Sequence, residues 1–210
     1  MNEAPAPRVG VLSLQGDFAM HRASLEALGV QVARVVLPED LGGLDALVLP
    51  GGESTTMVRL MERNGLRLAL ERFVREKPVL GTCAGVILLG RETDHLPAPP
   101  LGVLDVSVER NAYGRQIDSF TDTIEAPVLG RPVQGVFIRA PRIRHVGAGV
   151  EIVARRGEEP VGVRQGKVVG LCFHPELTSD LGFHRWFLAE VAGLRLAGGG
   201  ESSIARGARA

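Results

Sequence analysis

The first half of the chain alternates between short apolar runs and amphipathic segments, and this alternation constrains the fold most strongly. Runs rich in Val, Leu and Ile are typical of buried strands, and apolar residues at helical spacing are typical of helices that cover them. The predicted strands are 8–14, 31–36, 45–49 and 78–81; the predicted helices are 17–28, a segment beginning at Thr55, 66–75 and 84–89. Because strands that alternate with helices are joined by right-handed crossovers, the pattern predicts a mostly parallel sheet flanked by helices.

The second half is richer in strand patterns. Strands are predicted over 103–109, 133–138 and 149–154, with a hairpin over 160–169, a strongly β-like run over 167–173 and a closing helix over 181–191. We therefore expect one α/β domain with an antiparallel extension. The 210 residues suit this prediction, since a domain averages about 150 residues. The predicted organisation is a flexible lead-in over 1–7, a single domain over 8–196, and a disordered Gly-, Ser- and Ala-rich tail over 197–210.

The charge balance argues against several classes of function. Lys and Arg number 24, as do Asp and Glu, so the basic excess of a nucleic-acid or membrane-surface binder is absent from the sequence. The uncharged stretch 78–90 is too short to span a bilayer, and the first residues lack the pattern of an export signal. Two cysteines form neither a disulfide framework nor a zinc motif, which favours a reducing cytoplasm; no metal or cofactor is expected.

Cys83 is the strongest candidate for chemistry. It lies at the centre of Gly81-Thr82-Cys83-Ala84-Gly85, between a predicted strand and a predicted helix, in the pattern of a nucleophile elbow. The sharp turn admits only small neighbours, and it presents the sulfur at the carboxyl end of the sheet, where α/β folds bind ligands. Taken alone, the motif is equally consistent with a buried cysteine in a glycine-rich turn.

A second motif favours the catalytic interpretation. Phe173-His174-Pro175-Glu176 follows the last predicted core strand. His174 is a candidate base, and Glu176 points the same way from an extended chain and can orient its imidazole. A cysteine, a histidine and an acid in this order satisfy the logic of a catalytic triad.

A third motif, Pro50-Gly51-Gly52-Glu53-Ser54-Thr55, also follows a strand and opens a helix. Adjacent glycines allow backbone N–H groups to converge on an anion, so Gly51 and Gly52 are expected to form half of an oxyanion hole. The N–H group of Ala84 would supply the other half. The structural alternative is a strand-to-helix turn in which Ser54 caps the helix, and the two interpretations can hold at once.

Together, these motifs resemble class I glutamine amidotransferases, and in particular the glutaminase subunits of pyridoxal 5′-phosphate synthases. The resemblance covers roughly 8–192, and its motifs are Leu14-Gln15-Gly16, GGESTT at 51–56, GTCAG at 81–85, RNAYGRQ at 110–116, FIRAP at 137–141 and FHPELT at 173–178. It implies a flavodoxin-like fold that hydrolyses L-glutamine and delivers ammonia to a separate synthase subunit. The implied triad is Cys83, His174 and Glu176, and the implied glutamine contacts are Gly52, Glu53, Ser54, Arg110, Ile138 and Arg139.

The resemblance also implies a subunit that is weakly active alone and stimulated by its partner. The Gly51–Gly52 peptide is expected to move, since glycine changes backbone region at little steric cost. Gln15 and Gly16, at the carboxyl end of the first strand, are expected to couple partner contact to that peptide. The basic run Arg139, Arg142, Arg144 and His145 is either a solvated face or a partner patch.

Three other interpretations of the motifs compete with this one. A glutaminase of another pathway would share the triad but lack RNAYGRQ and FIRAP. A redox or chaperone protein with a cysteine elbow would not need His174-Pro175-Glu176, and the intact triad argues against a binding module without catalysis. The remaining histidines, His21, His95 and His184, lack metal-ligand spacing and are expected to be structural or exposed.

Overall fold

A computed structural model describes residues 6–16, 18–110, 112 and 119–196. The strands are β1 (Arg8–Leu12), β2 (Gln31–Val35), β3 (Ala46–Leu49), β4 (Val79–Thr82), β5 (Gly90–Thr93), β6 (Leu104–Glu109), β7 (Ser119–Ile124), β8 (Val133–Ile138), β9 (Arg142–Val146), β10 (Glu151–Arg156), β11 (Glu159–Gln165) and β12 (Val168–Leu171). The α-helices are α1 (Phe18–Glu26), α2 (Ser54–Arg63), α3 (Leu66–Glu76), α4 (Ala84–Leu89) and α5 (Gly182–Trp186). Short 3₁₀ turns cover Pro38–Leu41, Pro127–Leu129 and Pro175–Leu177, and a π-helical turn, Phe187–Val191, continues α5.

The largest sheet among the described residues has seven strands in the order β10-β11-β12-β4-β3-β1-β2. The five strands from β12 to β2 pair in parallel, whereas β11 and β10 add an antiparallel edge. In the opposite direction, the five parallel strands follow the order β2-β1-β3-β4-β12. This order corresponds to the 2-1-3-4-5 order of flavodoxin-like sheets. The predicted α/β class, with a mostly parallel sheet and an antiparallel extension, is confirmed.

The central strands are apolar because both faces of the sheet are covered. Every residue of β3 and of β12 is buried, as is every residue of β4. Parallel strands buried on both faces read as continuous apolar runs, which is why they could be predicted from the sequence. The helices α2 and α3 turn their apolar faces to this core, with Met57, Met61, Leu66 and Leu70 fully buried.

The second half contains more strands than predicted. Beside the large sheet lie a three-stranded sheet, β5-β6-β9, and a two-stranded sheet, β7-β8, in the part of the chain that the structure describes. The strands β5, β7 and β9 are not among those predicted from the sequence. These strands are half exposed and carry many polar or charged residues, so an apolar pattern does not reveal them.

Several boundaries also differ from the sequence predictions. The strand predicted over 8–14 ends at Leu12, and the helix predicted over 181–191 becomes α5 followed by the π-helical turn. Gly29 follows the first helix region in the left-handed conformation, at φ 77°, which is common for a glycine just after a helix C-terminus. The lead-in over 1–7 and the disordered tail over 197–210 stay predictions, since 1–5 and 197–210 lie outside the described residues.

Candidate active site

The predicted site residues meet at one edge of the large sheet. Cys83 follows β4, Gly51 follows β3, Gln15 lies just beyond β1, and His174 follows β12. Because these four strands are parallel, their carboxyl ends lie at the same edge, where α/β sheets bind ligands. Segments far apart in the sequence are thereby placed around one cleft.

Cys83 adopts the strained backbone of a nucleophile elbow, with φ 47° and ψ −103°. The flanking glycines are required by close packing: a Cβ atom on Gly81 would overlap the backbone of Gly85, and one on Gly85 would overlap the carbonyl oxygen of Leu49. The backbone N–H of Cys83 donates to the carbonyl oxygen of Leu171 at 2.8 Å, which fixes the turn against β12. Cys83 is 6% exposed, and its sulfur lies 3.8 Å from the carbonyl oxygen of Ile138.

His174 and Glu176 form a buried hydrogen-bonded pair. The imidazole Nδ1 lies 2.7 Å from Oε1 of Glu176, and Pro175 begins the 3₁₀ turn that brings the two side chains together. The side chain of Glu176 is fully buried and that of His174 is 8% exposed. His174 Nε2, the nitrogen left for chemistry, is buried and has no hydrogen-bond partner among the described residues.

The electrostatics of this pair favour the ionised forms. Burial disfavours the charged imidazole, but its interactions with Cys83 and Glu176 outweigh that penalty and raise the pKa of His174. Burial likewise opposes ionisation of Glu176, yet the hydrogen bond with His174 and the nearby His21 hold the pKa of the carboxyl far below its ordinary value.

The cleft has a volume of about 230 Å³, and all six predicted substrate contacts line it. It is lined by Gly16, Gly51, Gly52, Glu53, Ser54, Cys83, Ile87, Arg110, Ile138, Arg139 and His174. Ala84 lies behind the sulfur as the first residue of α4, and Gln15 touches the loop after β3 rather than the cleft itself. Ile87 is a lining residue that the sequence analysis did not predict.

Glu53 and Arg110 bind each other across the cleft. Arg110 Nη2 lies 2.9 Å from Oε1 of Glu53 and 3.1 Å from the hydroxyl of Thr55, and its Nη1 donates to the carbonyl oxygen of His95. Glu53 also caps α2, since its carboxylate accepts a 2.6 Å hydrogen bond from the N–H of Thr56. The alternative in which Ser54 caps the helix is therefore wrong: Ser54 is the first helical residue.

The segment directly after β8 forms another wall of the cleft, and its backbone is strained. Arg139, directly after β8, has a φ of 42°, an unusual value for a residue with a long side chain. Two other residues of the basic run between 139 and 145 form ion pairs: Arg142 pairs with Glu159, and Arg144 pairs with Glu109. The remainder of the RNAYGRQ motif, apart from Arg110 and Ala112, lies outside the described residues.

Three polar residues behind the triad were not predicted as functional. His21, Thr82 and His184 are fully buried, and His21 lies 3.3 Å from Oε2 of Glu176. His95, by contrast, is exposed. Only Thr82 carried a sequence signal, since it precedes the nucleophile.

Metal clusters and membrane spans are absent from the described part of the chain. Its segments contain no group of side chains that could hold a metal ion and no helix long and apolar enough to cross a membrane.

Cys83 and Cys172 are both free thiols, and burial raises the pKa of Cys172 far above its ordinary value.

Comparisons with known proteins agree with this geometry. A model of the SNO glutamine amidotransferase family matches residues 11–193. A pyridoxal 5′-phosphate synthase subunit PdxT from Thermus thermophilus is 53% identical over 189 residues, covering 89% of this chain and 98% of the relative. The subunit of the same name from Thermotoga neapolitana is 50% identical over 186 residues, covering 88% and 99%.

Solved structures share the fold. A crystal structure of a glutamine amidotransferase, 49% identical, superposes with a TM-score of 0.83 and covers 89% of this chain and 99% of that one. A putative GMP synthase component from Thermoplasma acidophilum, 17% identical, superposes with a TM-score of 0.65 over 91% and 96% of the two chains, which shows a common fold alone. By sequence and by structure, this chain belongs to the SNO glutamine amidotransferase family, as its motifs predicted.

Proposed function

We propose that this chain hydrolyses L-glutamine to L-glutamate and ammonia, and that it supplies the ammonia to the synthase subunit that makes pyridoxal 5′-phosphate. The observation that carries the proposal is the 2.7 Å contact between His174 Nδ1 and Glu176 Oε1, beside a cysteine held in a nucleophile elbow. The relatives named as pyridoxal 5′-phosphate synthase subunits, about half identical over nearly their whole length, support the choice of pathway.

The first half of the reaction forms a thioester. The thiol proton of Cys83 passes to His174 Nε2, and the sulfur attacks the side-chain amide carbon of glutamine. Negative charge develops on the amide oxygen, where backbone N–H groups of Gly51 or Gly52 and of Ala84 would stabilise it. His174 then gives its proton to the departing nitrogen, so that ammonia leaves and a glutamyl thioester remains.

The second half regenerates the enzyme. His174 takes a proton from water, the resulting hydroxide attacks the thioester carbon, and the carbon–sulfur bond breaks. The proton returns to the sulfur as glutamate leaves. Glu176 transfers no proton in this scheme; it orients the imidazole and stabilises the imidazolium that forms twice in each cycle.

Recognition of the substrate's α-amino acid group falls to the charged walls of the cleft. Arg110 and Arg139 would hold the α-carboxylate, since guanidinium groups match carboxylates in geometry and charge, and Glu53 would hold the α-ammonium. The Arg110–Glu53 ion pair keeps both groups in place, because each side chain orients the other. Gly52, Ser54 and Ile138 complete the proposed contact surface.

Three further proposals concern the domain bounds, the partner subunit and the cell compartment. Residues 8–196 form the catalytic domain, and the chain works in a hetero-oligomer with the synthase subunit. Its two free thiols suit a reducing cytoplasm.

The direct test is an assay of glutamine hydrolysis by this chain with and without the synthase subunit, coupled to detection of pyridoxal 5′-phosphate. We expect ammonia release with the synthase subunit, and label transfer from amide-¹⁵N glutamine into the product. Glutamine hydrolysis without incorporation of the label would assign the chain to another pathway. The absence of any hydrolysis by the complete pair would reject the proposal.

A further inference from the structure

The hydrogen-bonded triad continues beyond Glu176 into a buried cluster. Oε1 of the carboxylate binds His174, whereas Oε2 has no hydrogen-bond partner among the described residues and lies 3.3 Å from Nε2 of His21. A buried carboxylate oxygen without a donor is costly. His21 is thus the group in place to satisfy the second oxygen.

His21 is itself held on both sides. Its Nε2 also lies 3.1 Å from the hydroxyl of Thr82, and its Nδ1 lies 3.0 Å from Nε2 of His184. The two imidazole rings meet edge to face, with centroids 5.3 Å apart. His21, Thr82 and His184 are each 0% exposed. The cluster joins α1, β4, α5 and the 3₁₀ turn that carries Glu176.

The protons of this cluster can be assigned from its contacts. Burial lowers the pKa of His184 to about 3, so its ring is neutral and carries one proton. His184 Nδ1 is buried without a partner among the described residues, and a proton there would be an unsatisfied donor. The proton therefore belongs on Nε2, where it is donated to Nδ1 of His21. Because Nδ1 of His21 accepts, the proton of its ring must lie on Nε2, facing Glu176.

We infer that His21 is a positioning residue for the catalytic triad: it donates from Nε2 to Oε2 of Glu176, and His184 fixes the ring and tautomer that make this donation possible. The inference rests on the proposed glutaminase function. The donor holds the carboxylate in the orientation from which Oε1 receives His174 Nδ1. His21 does not line the cleft, so it acts through Glu176 and not on the substrate.

Thr82 gives the cluster a second link to the reaction. It immediately precedes Cys83, and its hydroxyl shares the Nε2–H of His21 with Glu176. The same imidazole therefore touches both the strand that carries the nucleophile and the acid that orients the base. Movement of His21 would disturb the two halves of the triad together.

Two polar substitutions separate the roles of the ring nitrogens. His21→Gln places an amide NH₂ near the position of Nε2, whereas His21→Asn places one near Nδ1. We expect His21→Asn to lower kcat for glutamine hydrolysis about 10- to 100-fold, the usual cost of removing a partner that orients a reactive group. His21→Gln should recover most of that loss, and KM should change little in either variant. The reverse order of activities would overturn the inference.

A double-mutant cycle tests whether His21 acts through Glu176. Each substitution of His21 is measured in the wild-type chain and in Glu176→Gln, always with saturating glutamine and the synthase subunit. We expect the cost of His21→Asn to fall to about 3-fold or less when Glu176 is already Gln, because residues that act as a unit are not additive. An equal fold-loss in both backgrounds would show a merely structural role and refute the proposal.

A measurement on the unsubstituted chain makes the test independent of how the variants fold. Nitrogen chemical shifts of the assigned His21 ring should show a protonated Nε2 and a bare Nδ1. A proton on Nδ1 alone would contradict the inference whatever the variants do. If the wild-type chain with its synthase subunit hydrolyses no glutamine, the proposed function fails; if it does, and His21→Asn keeps full activity, only the positioning role fails.

Discussion

Oε1 of Gln15 accepts a 2.5 Å hydrogen bond from the backbone N–H of Glu53, and this bond ties the end of β1 to the loop after β3. The same two segments touch again one residue away, where the carbonyl oxygen of Gly51 lies against Gly16 so closely that a Cβ atom there could not fit. The loop that carries the proposed oxyanion donors is therefore in direct contact with a residue outside the cleft. This geometry supplies a physical route by which a docked partner could set the position of Gly51 and Gly52.

We predict that Gln15→Ala weakens the stimulation of glutaminase activity by the synthase subunit. Loss of its hydrogen bond frees the Gly51–Gly52 peptide, and one oxyanion donor is worth roughly 10²- to 10³-fold in rate. Turnover is measured with and without the synthase subunit under saturating glutamine. Gln31→Ala, at the amino end of β2 on the opposite edge of the sheet, serves as the control.

Labelling of Cys83 by an electrophilic glutamine analogue should still occur in Gln15→Ala. Equal turnover with and without partner in the wild-type chain would show that the site is already assembled, and would remove the basis of this prediction.

Cys83→Ala is expected to lower turnover by about 10⁴-fold or more, as does loss of other triad nucleophiles. Cys172 offers a matched control, since it is the other free thiol and is 1% exposed within the core. Cys172→Ser should keep turnover near that of the wild type. Mass spectrometry after treatment with the analogue should find the label on Cys83; a label on Cys172 alone would refute the assignment.

Glu176→Gln is expected to lower turnover roughly 10²- to 10⁴-fold while the fold is preserved, because an amide cannot stabilise the imidazolium or fix its tautomer. The readout is kcat with the synthase subunit present, beside a thermal unfolding curve that reports integrity. Unchanged hydrolysis in this variant would mean that Glu176 does not orient His174.

Gly51→Ala should lower turnover by about 10²-fold or more. A Cβ atom at this position would overlap the ring of His174, and displacement of a catalytic group by about 1 Å has an effect of that size. Gly166→Ala is the matched control: it has open space around it but a φ of 58°, so it costs about 1 kcal/mol of stability and leaves the cleft intact. Full activity of Gly51→Ala would place His174 elsewhere in the active state.

The ion pair of His174 and Glu176 should make stability depend on pH in a definite direction. The folded-state pKa of Glu176 is lowered, so its contribution is present above its ordinary pKa of 4.5 and is lost as the pH falls. The folded-state pKa of His174 is raised, so its contribution is complete below 6.5 and is lost as the pH rises towards about 10. The contribution of the pair is therefore largest between about pH 4.5 and 6.5.

This pH dependence is measured as the difference in unfolding free energy between the wild type and the double variant His174→Gln/Glu176→Gln. Denaturant titrations from about pH 4 to about pH 10 should give a difference that declines on both sides of the maximum. A difference that is flat over this range would contradict the assigned shifts.

Local sequence determined the central sheet and the chemistry at its edge. β1, β3 and β4 are apolar over almost their whole length because both faces are covered, so hydrophobicity alone marks them. The turn at Cys83 needs glycines on both sides for steric reasons, and His174 and Glu176 are separated by a single proline. Each of these features is complete within a few residues, and a pattern of that length can be recognised without a structure.

The tertiary structure decided what depends on distant partners. β7 and β9 are polar strands that exist because β8 and β6 pair with them. His21 and His184 lie 163 residues apart in the sequence, yet they share a hydrogen bond behind the triad. Arg110 and Glu53 likewise meet only across the cleft. Apolar patterning reports burial against a sheet, whereas these contacts arise from packing between elements. Only the folded chain therefore brings these groups to the proposed catalytic residues.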